Sequence, residues 1–168
     1  MGANTGLLII DVQKGSFKSG IPIHNERELL ENTNILLDRA HTSGTPVFLV
    51  QYADDSSWAE GTENWQLHPG LHRSQGDATV CKRTSSALDD TSFQEHLRDM
   101  GITRLVTAGI ASQWCVRSTC LHAKELGFEV TLAKDAHGPG DNPSRDIRRT
   151  LPGHIKHGVE TGVSRNHR

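Results

Sequence analysis

The chain is poor in cysteine, aromatic residues, charge of one sign and long apolar runs. Its three cysteines, Cys81, Cys115 and Cys120, form no CxxC pair and no even set, which excludes a disulfide framework. Lys and Arg number 18 against 20 acids, and the basic residues are not gathered into one block, so a nucleic-acid partner is not expected. The N-terminal run "LLII" is four residues long, far short of a signal sequence or a membrane span. No membrane partner is expected, and a cytoplasmic protein with reduced thiols is the default. The segment 141–168 is locally basic and His-rich but also carries acids, and it reads as a solvated terminal region. Aromatic residues make up only 5% of the chain. They are unevenly placed, with Phe17, Trp58, Trp65 and Trp114 in expected loops or beside a cysteine.

What is present suits a globular enzyme-sized domain. Counting glycine, about 44% of the residues are apolar, a normal share. A chain of 168 residues reads as a single domain, 1–168, able to bury roughly 70% of its unfolded surface. "GLLIIDVQ" (6–13) is a short continuous apolar run ended by an acid, the pattern of a strand buried on both faces. Residues 25–44 place Leu29, Leu30, Ile35, Leu36, Leu37 and Ala40 at near-helical spacing before Gly44. "TPVFLVQY" (45–52), "ATVCKR" (78–83), "TRLVTAGI" (103–110) and "FEVTLAKDA" (128–136) read as strands. Helices are expected at 91–101, with a Ser/Thr-type start, and at 112–127, capped by Ser112 and stopped at Gly127. A further helix begins near 142, is ended or kinked at Pro152, and is followed by an edge strand at 159–163. Residues 53–76 form a long connection with little periodicity.

Strands alternating with helices predict a three-layer α/β sandwich. If its six-stranded parallel sheet has the order 3-2-1-4-5-6, strands one and four flank the point where the order reverses. Ligands bind such sheets beyond the carboxyl ends of the strands, where the order reverses. Asp11 ends strand one, Lys82 ends strand three, and Cys115 lies just past strand four on the first turn of its helix. All three fall on the same sheet edge. A cysteine attacks as thiolate. Asp11 could take its proton, while Lys82 and the helix N-terminus could stabilise the anion, so a depressed Cys115 pKa is expected. The N–H of Cys115, in the first helical turn, is a candidate oxyanion donor. Cys120 is rotated by about 140° from Cys115 and reads as core with Val116 and Ala123. Cys81 points to the opposite face from Lys82 and reads as structural.

"LLIIDVQ", "KRTSSAL" and "AGIASQWCVRST" together resemble the three signature blocks of the isochorismatase-like cysteine hydrolases, in order, from about residue 6 to 137. The resemblance implies a catalytic triad of Asp11, Lys82 and Cys115 and hydrolysis of a C–N bond through an acyl-enzyme on Cys115. It also implies a non-proline cis peptide at Ile110–Ala111 that aims the Ala111 N–H beside that of Cys115. Nicotinamidases of that family carry an Asp-x-His pair after strand two. Here Gln51-Tyr52-Ala53-Asp54-Asp55 stands in its place, so no metal and no other cofactor are expected, although His68 and His72 follow.

The expected partner is a small molecule, with Phe17, Trp58, Trp65 and Trp114 as apolar walls for a planar amide. Two alternatives stand beside amide hydrolysis: vinyl ether cleavage of the isochorismatase type, and a catalytically silent binding or assembly module on the same fold. A homo-oligomer is expected from the resemblance and from the tryptophans of the long connection.

Overall fold

The computed structural model describes residues 1–18, 23, 26–110, 112–138 and 156–157. Five strands, β1 (Thr5–Ile10), β2 (Val47–Tyr52), β3 (Ala78–Lys82), β4 (Arg104–Gly109) and β5 (Glu129–His137), build a parallel sheet. Their spatial order is β3-β2-β1-β4-β5. The reversal falls between β1 and β4, where the order considered from the sequence puts it. A two-residue strand, β6 (Lys156–His157), pairs parallel with β5 at that edge. The edge strand expected at 159–163 and the helix expected from about 142 to Pro152 lie outside the described residues.

Burial on both sides explains the unbroken apolar runs. In β1, Leu8 and Ile10 enter one core while Leu7 and Ile9 enter the other. In β2, Phe48 and Val50 alternate with Val47 and Leu49 in the same way. Helix α2 (Glu26–Ser43) covers one face through Leu29, Leu36, Leu37 and Ala40. The other face receives Phe93 and Leu97 of α3 (Thr91–Asp99) and Cys120 and Ala123 of α4 (Arg117–Glu125). Val116, Cys120 and Ala123 are fully buried there, which bears out the stripe read from their spacing.

Helix ends follow local chemistry. Helix α4 stops at Gly127, whose φ of 91° suits glycine. Its N–H donates to the Lys124 carbonyl and that of Phe128 to the Ala123 carbonyl, a Schellman ending. Helix α3 is capped by Asp90, whose carboxylate accepts the Ser92 N–H at 2.8 Å, rather than by the Ser/Thr start read from sequence. The expected helix at 112–127 is two segments: a π-type turn over Ser112–Val116 leads into α4. A five-residue helix, α1 (Lys14–Lys18), carries Phe17, which the sequence reading placed in a loop. No helix among the described residues is long and apolar enough to cross a membrane.

Candidate active site

Three chain segments converge at the carboxyl edge of the sheet. Asp11 is the first residue after β1. Its φ of 54° lies in the left-handed region that residues with a Cβ rarely adopt. Its N–H donates to Val50 O at 2.9 Å, and its carbonyl accepts the Ser16 hydroxyl at 2.7 Å. Such backbone strain of about 1–3 kcal/mol persists only where the surroundings over-determine it. Across the reversal, Gly109 ends β4 with a φ of 130°. A Cβ there would collide with the Ile10 carbonyl oxygen. Glycine therefore lets β4 close against the end of β1 and brings the turn that carries Cys115 over Asp11.

Lys82, the last residue of β3, crosses beneath β2 to reach this point. Its Nζ lies 3.0 Å from Asp11 Oδ2 and donates to the Thr84 carbonyl at 3.0 Å. The face of the Tyr52 ring lies 5.1 Å from the same nitrogen. Both charged side chains are almost wholly buried, at 2% exposure for Lys82 and 8% for Asp11. Cys115 is half-buried and interacts with both. Asp11 Oδ1 is buried with no well-formed hydrogen bond among the described residues, which leaves this oxygen available to a proton.

Burial raises the Asp11 pKa, and the Lys82 charge and the Cys115 thiol offset only part of the rise. Burial works against the Lys82 ammonium, but Asp11 and Cys115 outweigh it and raise its pKa. The Cys115 thiol is pushed up to about 12, first by burial and then by the Asp11 charge, with Lys82 pulling the other way. This corrects the depressed Cys115 pKa expected from the sequence. Neighbouring charges can be guessed from a chain, but desolvation, the largest cause, cannot. The 3.0 Å contact between Lys82 and Asp11 is that of an ammonium–carboxylate pair, and it stands beside a neutral Cys115 thiol. Cys120, pushed up to about 11 by burial, pairs with the Thr107 hydroxyl at 3.1 Å in the core. Cys81 is exposed on β3, with its thiol 3.7 Å from Glu60.

The long connection between β2 and β3 is fastened beside the site by a residue that the sequence reading did not single out. Gln13 is fully buried. Its side-chain amide donates to the carbonyls of Tyr52 (2.9 Å) and Trp65 (2.7 Å), and its Oε1 accepts the Tyr52 N–H at 2.9 Å. It thus stands in for a missing strand partner. Gln51 adds a second donor to the Trp65 carbonyl at 2.8 Å. A long polar side chain directly after a buried strand was the available signal.

The four expected wall residues divide. Trp58 is half-buried and meets the Tyr52 ring edge-on, with centroids 6.1 Å apart. Trp65 is half-buried, and its backbone carbonyl is bound by Gln13 and Gln51. Phe17 packs against His68 at 4.6 Å, on the α2 side of the sheet. Trp114, beside Cys115, is 53% exposed. Ala111, the expected second oxyanion donor, and with it the Ile110–Ala111 peptide, lies outside the described residues.

The family model for the isochorismatase domain matches residues 5–147. The chain belongs to the isochorismatase family of hydrolases. It is 33% identical over 149 residues to a streptothricin hydrolase of Streptomyces noursei, a match covering 87% of this chain and 54% of that protein. The chain thus spans about half the length of that relative. It is 32% identical over 147 residues to the isochorismatase family protein YecD of Escherichia coli O157:H7, covering 79% of this chain and 78% of YecD. A pyrazinamidase of Pyrococcus horikoshii, solved in complex with zinc, shares the fold with a TM-score of 0.80. That match covers 92% of this chain and 98% of that one at 20% identity.

The zinc of that neighbour poses a question that this chain's own residues answer. His68 Nε2 lies 3.7 Å from Glu26, and His72 Nδ1 pairs with Asp38 at 3.1 Å on the outer side of α2. Asp54 accepts the N–H groups of Ser56 and Trp58 at 2.8 and 2.9 Å. Among the described residues no three His, Cys, Asp or Glu side chains gather as a metal would require. The described residues do not fit a metal.

Proposed function

We propose that the chain hydrolyses the C–N bond of a small amide-type substrate, with Cys115 as nucleophile. The observation that carries this reading is the buried Asp11–Lys82 ion pair with the Cys115 thiol against both partners. Asp11 accepts the thiol proton as the sulfur attacks the carbonyl carbon. The tetrahedral oxyanion is received by the backbone N–H of Cys115 and, as the resemblance implies, that of Ala111. Asp11 then returns the proton to the departing amine, leaving an acyl-thioester. A water molecule gives its proton to Asp11 and attacks the thioester, and the acid leaves as Cys115 regains a proton. Lys82 stays charged throughout and holds Asp11 in place. The half-buried Trp58, Trp65 and Phe17 and the exposed Trp114 are proposed to frame the substrate.

The cysteine is what favours amide hydrolysis over vinyl ether cleavage, which needs no nucleophilic thiol. The streptothricin hydrolase relative supports the same class. The test is a parallel screen of amides, ureas and esters against wild type and Cys115→Ala. Turnover by wild type alone supports the reading. Full turnover by Cys115→Ala removes it, and no turnover of any compound favours a silent binding module.

A further inference from the structure

The Lys82 ammonium has four neighbours, and two of them change during the proposed reaction. Asp11 from the end of β1, Cys115 from the 112–116 turn and Tyr52 from β2 are the titratable groups that face it. The Thr84 carbonyl is the fourth partner. In the tetrahedral intermediate the Cys115 sulfur is bonded to carbon and neutral. Asp11 holds the proton and is neutral too. The negative charge has moved to the substrate oxygen. At that moment Lys82 is a buried cation with neither the Asp11 carboxylate nor a Cys115 thiolate beside it, and burial favours its neutral form. What remains is the Thr84 carbonyl and the electron-rich face of Tyr52, 5.1 Å away and within the range of a cation–π contact.

The surroundings hold that ring in place. Gln13 binds both the N–H and the carbonyl of Tyr52, at 2.9 Å each. Trp58 meets the ring edge-on at an interplanar angle of 68°. Trp58 in turn rests on Gly15, where an added Cβ would come within 2.8 Å of its ring. Residues 13, 15, 52 and 58 thus form one support ending on the ammonium.

We propose that Tyr52 is a positioning residue whose ring keeps Lys82 charged and in place while Asp11 carries the Cys115 proton. This rests on the reaction proposed above. Only the π face is required, so Tyr52→Phe retains the function and Tyr52→Leu loses it. The Leu variant is expected to lower kcat about tenfold, with KM within about twofold. It should also move the alkaline limb of the kcat profile about one pH unit lower, because Lys82 then loses its proton more readily. Tyr52→Phe should restore both. An equal loss in Tyr52→Phe, or an unmoved alkaline limb in Tyr52→Leu, overturns the proposal.

A second measurement needs no substrate. Asp11→Asn stands in for the protonated carboxyl, and the Lys82 side chain is titrated by NMR in Asp11→Asn/Tyr52→Leu against Asp11→Asn/Tyr52→Phe. Lys82 is expected to titrate about one unit lower without the ring. Identical titrations reject the proposal even if the enzyme is a cysteine amidase. Conversely, full turnover in Cys115→Ala would end the amidase reading while leaving the effect of the ring on Lys82 measurable.

Discussion

Asp11→Asn should make Cys115 more reactive toward a simple alkylating agent and at the same time abolish turnover. In the wild type the thiol is pushed up to about 12, against an ordinary value of 9.0. At neutral pH the thiol is therefore almost wholly protonated. Burial is the largest cause and survives the substitution; the Asp11 charge is the second and does not. Removing it leaves Lys82 unneutralised at the sulfur, so the Cys115 pKa should fall by roughly 1–2 units. The thiolate population then rises about 10- to 100-fold. Thiolate nucleophilicity falls with pKa at a Brønsted slope of about 0.4–0.5, so the net gain in alkylation rate is about 3- to 10-fold. Turnover should drop about 10²- to 10⁴-fold through loss of the proton carrier. Iodoacetamide labelling at pH 7, followed by peptide mapping of Cys115 against Cys81 and Cys120, reads the first effect. The substrate screen reads the second. Slower or unchanged labelling in Asp11→Asn would show that the carboxylate does not hold the thiol neutral, and retained turnover would show that it is not the base.

Gly109→Ala should destabilise the fold by about 3 kcal/mol or more, because its Cβ meets the Ile10 carbonyl and its φ is positive; a urea midpoint within error of wild type would contradict this. Lys82→Met leaves the buried Asp11 carboxylate unpaired and should cost about 3–5 kcal/mol in the same assay at neutral pH. Because the fold raises the Lys82 pKa, its contribution in wild type is full below the unfolded value and fades as pH climbs through the folded one; stability that stays flat across that range would refute the linkage. Gln13→Ala removes three buried hydrogen bonds and should speed amide exchange at Tyr52 and along 53–77, with β1 and β4 unaffected. The chain should form a homo-oligomer, and light scattering that gives a monomer at all working concentrations would overturn that.

The parallel sheet was legible because its strands are buried on two faces. That requirement writes continuous runs such as "LLII" and "VFLV" into the chain, and the leucines of α2 carry a period that only a helix satisfies. Because the strands run parallel, their carboxyl ends, and with them Asp11, Lys82 and Cys115, share one edge. Short elements were not legible: α1 is five residues long, too few to show a period, and it carries Phe17 out of the loop where the sequence put it. Asp90 outbid the adjacent Thr91 and Ser92 as a cap, a choice among three competent residues that only geometry decides. Gln13 and Tyr52 were passed over because each lies beside a stronger motif, and their meeting is a long-range contact between 13 and 52.

The raised thiol and the proposed nucleophile are compatible because two different proton transfers are involved. A value of about 12 describes loss of the Cys115 proton to water, which would turn a neutral buried site into one of net charge −1. Transfer from Cys115 to Asp11 keeps the net charge at zero: carboxylate, ammonium and thiol become carboxylic acid, ammonium and thiolate. Burial opposes the first process and nearly cancels in the second, since one buried anion replaces another beside the same cation 3.0 Å from Asp11. The Asp11 pKa is itself raised, chiefly by burial, which narrows the gap between donor and acceptor and makes the carboxylate a better base than a solvated one. Burial therefore keeps the thiol protonated, and safe from stray electrophiles, until a substrate carbonyl is near enough to take the charge onward.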